Sequence, residues 1–218
     1  MGEHREKAER ITSIRNSLDS VEELERRLPE VTLIEDDEIR EKTIQCFIKA
    51  CPDAFWERPT TSTGKYHPED ERGVYGNWLH TKRVFIQYAN LSETDVEMGT
   101  LTEWERDCGK SAALLHDMMK YGWPSNNNEH TVSEHDIIAA EVARELGGLP
   151  DEVYNMIHAH MGPWGSGKEP ETHNEILLHR ADKAVSPDWS TIGVYEPSDE
   201  LIEELNVVGY DDNGRVIE

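Results

Sequence analysis

The chain has 218 residues, 36% apolar and 31% charged, and its 22 Lys and Arg against 45 Asp and Glu leave a formal net charge of −23. That length supports one substantial core. Such acidity repels phosphate polyanions, so duplex nucleic acid is not an expected partner. A run of about 18 apolar residues is missing, so no membrane-spanning helix is expected.

The N-terminal stretch MGEHREKAER lacks the apolar core of a signal peptide and the sixth-position Ser/Thr of a myristoylation signal, which makes the cytoplasm the expected compartment. Cys46, Cys51 and Cys108 are odd in number and lack a CxxC spacing, so reduced, packed thiols are expected.

Helical periodicity dominates the chain. Ile11, Ile14, Leu18, Val21, Leu24 and Leu28 recur every three or four residues, the pattern of an amphipathic helix that stops before Pro29. Its apolar stripe could serve as a core face or as a contact between copies in a homo-oligomer. A second helix is predicted from about Asp36 to Cys51, stopped by Pro52, and a loop from Pro52 to Gly76. Helix resumes near Asn77 and carries His80. Thr102 to Glu105 form a capping box that opens a helix reaching about Lys120, with His116 and Asp117 in its last turns.

Thr131 to Glu134 read as a second capping box, placing His135 at the start of a helix that ends at Gly147-Gly148. A helix from Pro150 ends at Gly162-Pro163 and carries His158 and His160. Another, His173 to Ser186, bears Asp182. Trp164, after a helix, is expected to close the core, with stacking on a base as the other reading. A short helix near Ser198 to Leu205 precedes a terminal β-hairpin around Asp212-Asn213-Gly214. The expected class is all-α, with N-terminal helices over 1–52, a helical domain over 53–190 and an extension over 191–218.

Four imidazoles and two carboxylates, His80, His116, Asp117, His135, His160 and Asp182, are residue types that hold catalytic divalent metals, and an Asp between two ions can bridge them. Lys120 lies four residues from His116, one helical turn away. There it would hold a phosphate oxygen or rest as a solvated cation at a helix C-terminus.

The segments Gly76-Asn77-Trp78-Leu79-His80-Thr81, Leu114-Leu115-His116-Asp117-Met118-Met119-Lys120, Ser133-Glu134-His135, Ile157-His158-Ala159-His160-Met161-Gly162 and Leu177-Leu178-His179-Arg180-Ala181-Asp182 resemble, in that order, the motif series of the HD superfamily of metal-dependent phosphohydrolases. The resemblance covers roughly residues 60 to 186, and its force lies in the order of the motifs. The last two segments are most similar to HD domains of bacterial 3′–5′ exoribonucleases and of phage and archaeal HD proteins. An accompanying oligonucleotide-binding domain is not evident.

The resemblance implies an HD-domain helical bundle holding two divalent metal ions, with Mn, Fe, Ni, Co and Zn equally compatible. His80, His116, Asp117 and Asp182 would hold one ion and Asp117, His135 and His160 the other, with His158 in reserve for His160. It also implies hydrolysis of a phosphate ester of a small nucleotide or short oligonucleotide by a metal-activated hydroxide. Asp117 and Lys120 would be catalytic, and Lys65, His67, Lys120 and Arg180 would bind substrate. Two other classes fit the same residues: an HD-type di-iron oxygenase, and a non-catalytic nucleotide-binding or regulatory protein.

Overall fold

The computed structural model describes residues 18–63, 66–123, 130–187, 192–194, 198–204, 209–210 and 216–217. Among these the chain is helical: α1 Val21–Arg27, α2 Asp37–Ala50, α3 Asp53–Glu57, α4 Gly76–Glu97, α5 Glu103–Leu115, α6 His135–Glu145, α7 Asp151–Ala159, α8 His173–Val185 and α9 Asp199–Glu204. An antiparallel pair of two residues a side, Gly209–Tyr210 with Val216–Ile217, lies near the C-terminus. The turn expected at Asp212 to Gly214 falls outside the described residues, as do Ile11 and Ile14.

Local chemistry accounts for most boundaries. Asp36, Thr102 and Thr172 each turn a side-chain oxygen onto the first-turn N–H groups of α2, α5 and α8. At the two threonines the third-position glutamates Glu105 and Glu175 answer with the reciprocal bond of a capping box. The first predicted helix does not run continuously through Leu18, because extended Ser20 caps a new start at Val21.

The Thr131 capping box does not form. α6 begins at His135 with no side-chain cap, because the Thr131 N–H donates to Ser62 Oγ and the Val132 N–H to the Lys120 carbonyl. The Pro52–Gly76 loop holds more structure than predicted, α3 and a 3-10 turn at Glu69–Arg72. Apolar burial explains α3: Phe55 and Trp56 are 1% and 0% exposed and pack on Phe47 and Trp78. Large side chains so buried contribute about 1.5–3 kcal/mol each.

The long helix α4 packs against α3, α5 and α8, while α7 joins α5, α6 and α8, and α2 lies across α5 and α6. One buried apolar cluster runs from Leu18 to Leu201, so residues 18–52 share their core with the helices that follow. A polar node ties four helices together roughly two turns along α4 from His80. The Tyr88 hydroxyl donates to Asn174 Oδ1 at 2.5 Å, and Asn174 Nδ2 donates to the Glu105 carbonyl and to Glu152. Gly109 makes this possible, since a Cβ there would stand 1.8 Å from the Tyr88 hydroxyl.

The N-terminal segment is pinned to α4 by a buried ion pair. Lys82 Nζ lies 2.7 and 2.8 Å from the two Glu30 carboxylate oxygens. Glu30→Ala leaves that ammonium buried and uncompensated, and the expected loss is about 3 kcal/mol in a denaturant titration. The double variant Glu30→Leu with Lys82→Met should recover most of it, and a single variant as stable as the parent would rule the pair out as an anchor.

Candidate metal centre

The ligand-type residues arrive at the centre on helix ends. His80 sits in the second turn of α4 and Asp182 in the last turn of α8. His116 and His160 are the C-caps of α5 and α7, and His135 is the first residue of α6. Asp117 follows α5 in tight turns, with the Met118 and Lys120 N–H groups bonded to the carbonyls three residues back. The helix therefore ends at Leu115, earlier than predicted.

Helix ends leave carbonyls without intrahelical partners, and the imidazoles use this. His116 Nδ1 donates to the Ala113 carbonyl at 2.8 Å, and His160 Nδ1 to that of Ile157 at 2.7 Å; before α6, His135 Nδ1 donates to Val132 at 2.8 Å. A carbonyl only accepts, so the neutral form of each ring carries its proton on Nδ1 and presents a lone pair on Nε2. All three Nε2 atoms are buried and make no hydrogen bond, as is Asp117 Oδ1. Orphaned buried acceptors converging on one point are what a divalent cation satisfies, so the residues fit a metal.

Asp117 is the hub. Its Oδ1 lies 3.1 Å from His135 Nε2 and 3.6 Å from His160 Nε2. Its Oδ2 lies 3.5 Å from His116 Nε2, 3.8 Å from His80 Nε2 and 2.6 Å from Lys120 Nζ. Two ligand groups thus share this carboxylate, His80–His116–Asp117 and Asp117–His135–His160, and a third joins His116, His160 and Asp182. Burial favours the neutral acid, yet Lys120 and His116, helped by His135 and His160, hold the Asp117 pKa well below the usual carboxylate range. Burial drives that of His116 down to about 3 despite Asp117 beside it. At His80 burial acts the same way, but Glu71 and Asp182 prevail and raise its pKa to about 10.

Glu71, from the 3-10 turn, was not singled out in the sequence because it lies in an acidic run, Glu69-Asp70-Glu71, that reads as solvated. It is fully buried. Its Oε2 accepts from His80 Nδ1 at 3.1 Å and from His67 Nδ1 at 2.9 Å, and Arg83 holds its Oε1 at 2.7 Å. Against the effect of burial, these partners lower its pKa to about 2. Gly76 lets the turn approach, since a Cβ there would stand 2.0 Å from the Glu71 carbonyl oxygen.

Beside the centre opens a pocket of about 740 Å³, lined among others by Tyr66, His67, Lys120, Trp164, Asp182 and Lys183. Lys120 reaches it through the turns after α5, bonded to Asp117, rather than as a solvated helix-end cation. His67 also reaches it, its pKa lowered by burial against the pull of Glu71. Arg180 does not line it: His179, Asp182, Lys183 and Ser186 follow the helical stripe of α8 into the pocket, and Arg180 falls off that stripe and is exposed. Lys183 takes the place expected of it. Lys65 lies outside the described residues. His158 faces away, accepting the Lys168 N–H on Nδ1. Trp164 does not close the core; it is 63% exposed.

Glu71 fixes the His80 ring, so Glu71→Gln should weaken divalent-metal affinity about 10- to 100-fold in a chelator competition; unchanged affinity would dismiss that role. In the metal-free protein the Glu71 pKa falls from 4.5 to about 2 on folding. Its stabilising contribution is complete above pH 4.5 and lost as pH falls towards 2, so the melting curves of parent and variant should converge over that window.

The family model for the HD domain matches residues 78–185, which include all six ligand-type residues. No curated protein and no solved structure matches the chain, so the expected kinship with exoribonucleases has only the motifs that suggested it. Residues 78–185 of the chain are thus an HD domain, the domain of a superfamily made up mostly of metal-dependent phosphohydrolases.

Proposed function

We propose that this protein hydrolyses a phosphate ester of a small nucleotide or short oligonucleotide, using two divalent metals that share Asp117. One observation carries the reading: three buried imidazoles, each fixed by a backbone carbonyl, direct unpartnered Nε2 atoms at one buried, ionised carboxylate beside a pocket that His160 and Asp182 line. Divalent metals held there would lower the pKa of a water towards neutrality and screen phosphate oxygens.

The chain's own residues divide the remaining work. His80, His116, Asp117 and Asp182 form one ligand group and Asp117, His135 and His160 the other. Asp117 stays ionised and so can orient a water by accepting its hydrogen bond. Lys120 presents an ammonium at the pocket wall beside Asp117, positioned to offset charge on a phosphoryl group. Lys183 adds a second cation and His67, held by Glu71, a polar contact. Among the described lining residues Asp182 is the single acid, against two lysines and three imidazoles. In a chain of net charge −23, that local excess favours a small anion in the pocket over a long polyanion. The volume lies in the range of small-molecule sites.

A panel of nucleotides and short phosphodiesters with Mn²⁺ should show turnover. Asp117→Asn should abolish it together with metal retention. Lys120→Ala should lower kcat about 100-fold while metal content stays at the parent level. Stoichiometric iron with oxygen consumption and no phosphate release would replace this reading with oxygenation. Tight nucleotide binding with no turnover under any metal would replace it with a regulatory role.

A further inference from the structure

We infer that the indole of Trp164 is a stacking platform for the base of a nucleoside phosphate, the class of substrate this pocket selects; the inference rests on the phosphohydrolase reading above. Trp164 is 63% exposed, yet its ring is held in place. It stacks on His179 with an interplanar angle of 13° and centroids 6.0 Å apart, and Lys183 Nζ lies 4.2 Å from the ring centroid. His179 and Lys183 are one turn apart on α8 and share a face of that helix. The indole therefore lies along α8 beside an imidazole and a cation. Exposed over most of its surface, it keeps contact area on the wall of the pocket that it lines.

The backbone beneath the ring is equally constrained. Gly162 turns the chain at φ +54, and its hydrogen is all that fits against the His179 ring, 2.9 Å from where a Cβ would be. The Trp164 and Gly165 N–H groups donate to the Met161 and Gly162 carbonyls. Asp136, fully buried, accepts the Ser166 and Gly167 N–H groups on one oxygen at 2.9 and 2.8 Å. Asp136 follows His135 directly, so the segment that presents the indole is fastened to a ligand helix. An aromatic ring ordered before any ligand arrives gives up little freedom on stacking, which makes the contact effective. A second aromatic, Tyr66, is 80% exposed and lines the same pocket. Every base has a π-face to offer, so this arrangement selects for the presence of a base rather than its identity.

The test compares two substrates that differ by a base. With the Mn²⁺-loaded full chain, kcat/KM is measured for a nucleoside 5′-monophosphate and for ribose 5-phosphate. Trp164→Ala should lower the ratio of the first to the second roughly 10- to 100-fold, through KM, and Trp164→Phe should restore most of it. An unchanged ratio overturns the platform, as does an altered sedimentation coefficient with unchanged kinetics, which would make the ring a contact between copies. If the parent hydrolyses neither compound, titration calorimetry with the nucleoside monophosphate and Mn²⁺ separates the two ideas. Binding weakened by Trp164→Ala keeps the platform while hydrolysis fails. Equal binding, or none to either protein, ends the platform.

Discussion

The ionised carboxylate of Asp117, 1% exposed, is the constraint on which the rest of the centre depends. A buried charge without compensation costs several kcal/mol. Lys120 donates to one oxygen, His80 Nε2 stands 3.8 Å from it, and three further imidazole nitrogens without hydrogen-bond partners face the carboxylate at 3.1 to 3.6 Å, a set that a bound cation would reconcile. Even the main chain is fixed, since Asn77 donates its side-chain amide to the Asp117 carbonyl from the start of α4. The helices have to end where they do for these groups to meet.

Charge is sorted by depth in a way the overall composition hides. Lys82, Arg83, Arg106 and Lys110 are buried and each is paired with acids. Arg83 bonds Asp70 and Glu71 together, and Glu71 passes that restraint on to two imidazoles. Most basic groups near the core are thus spent on structure. Lys120 and Lys183 stand apart in facing the pocket, which sets two ammonium groups on its wall in a strongly acidic protein.

The parts legible from sequence were those written locally or in order. Thr102 with Glu105 names a helix start because both partners lie in one turn, and the ligand-type residues stood out through their succession along the chain. The Thr131 start misled for a physical reason: the same residue pattern recurs where Ser62 and Lys120 already engage the backbone. Glu71 was illegible because its role comes from the approach of a 3-10 turn to Gly76, outside the 78–185 segment that carries the family pattern. Arg180 and Lys183 are both basic and three residues apart, and only the packing of α8 decides which one faces the pocket.

Mounting the ligands at or near helix termini has a consequence for how such a protein diversifies. The helices are held by a common core and by the Tyr88–Asn174 node, so the spacing of the termini does not depend on what joins them. Connecting segments can lengthen at small entropic cost. The main chain of the stretch 162–168 is bonded to the frame at Asp136 and His158 and its Trp164 rests on His179 and Lys183, none of which belongs to the ligand set. Rewriting that stretch would exchange one substrate for another while the chemistry stayed in place, so lineages sharing this frame should diverge fastest in the segments that bridge its helices.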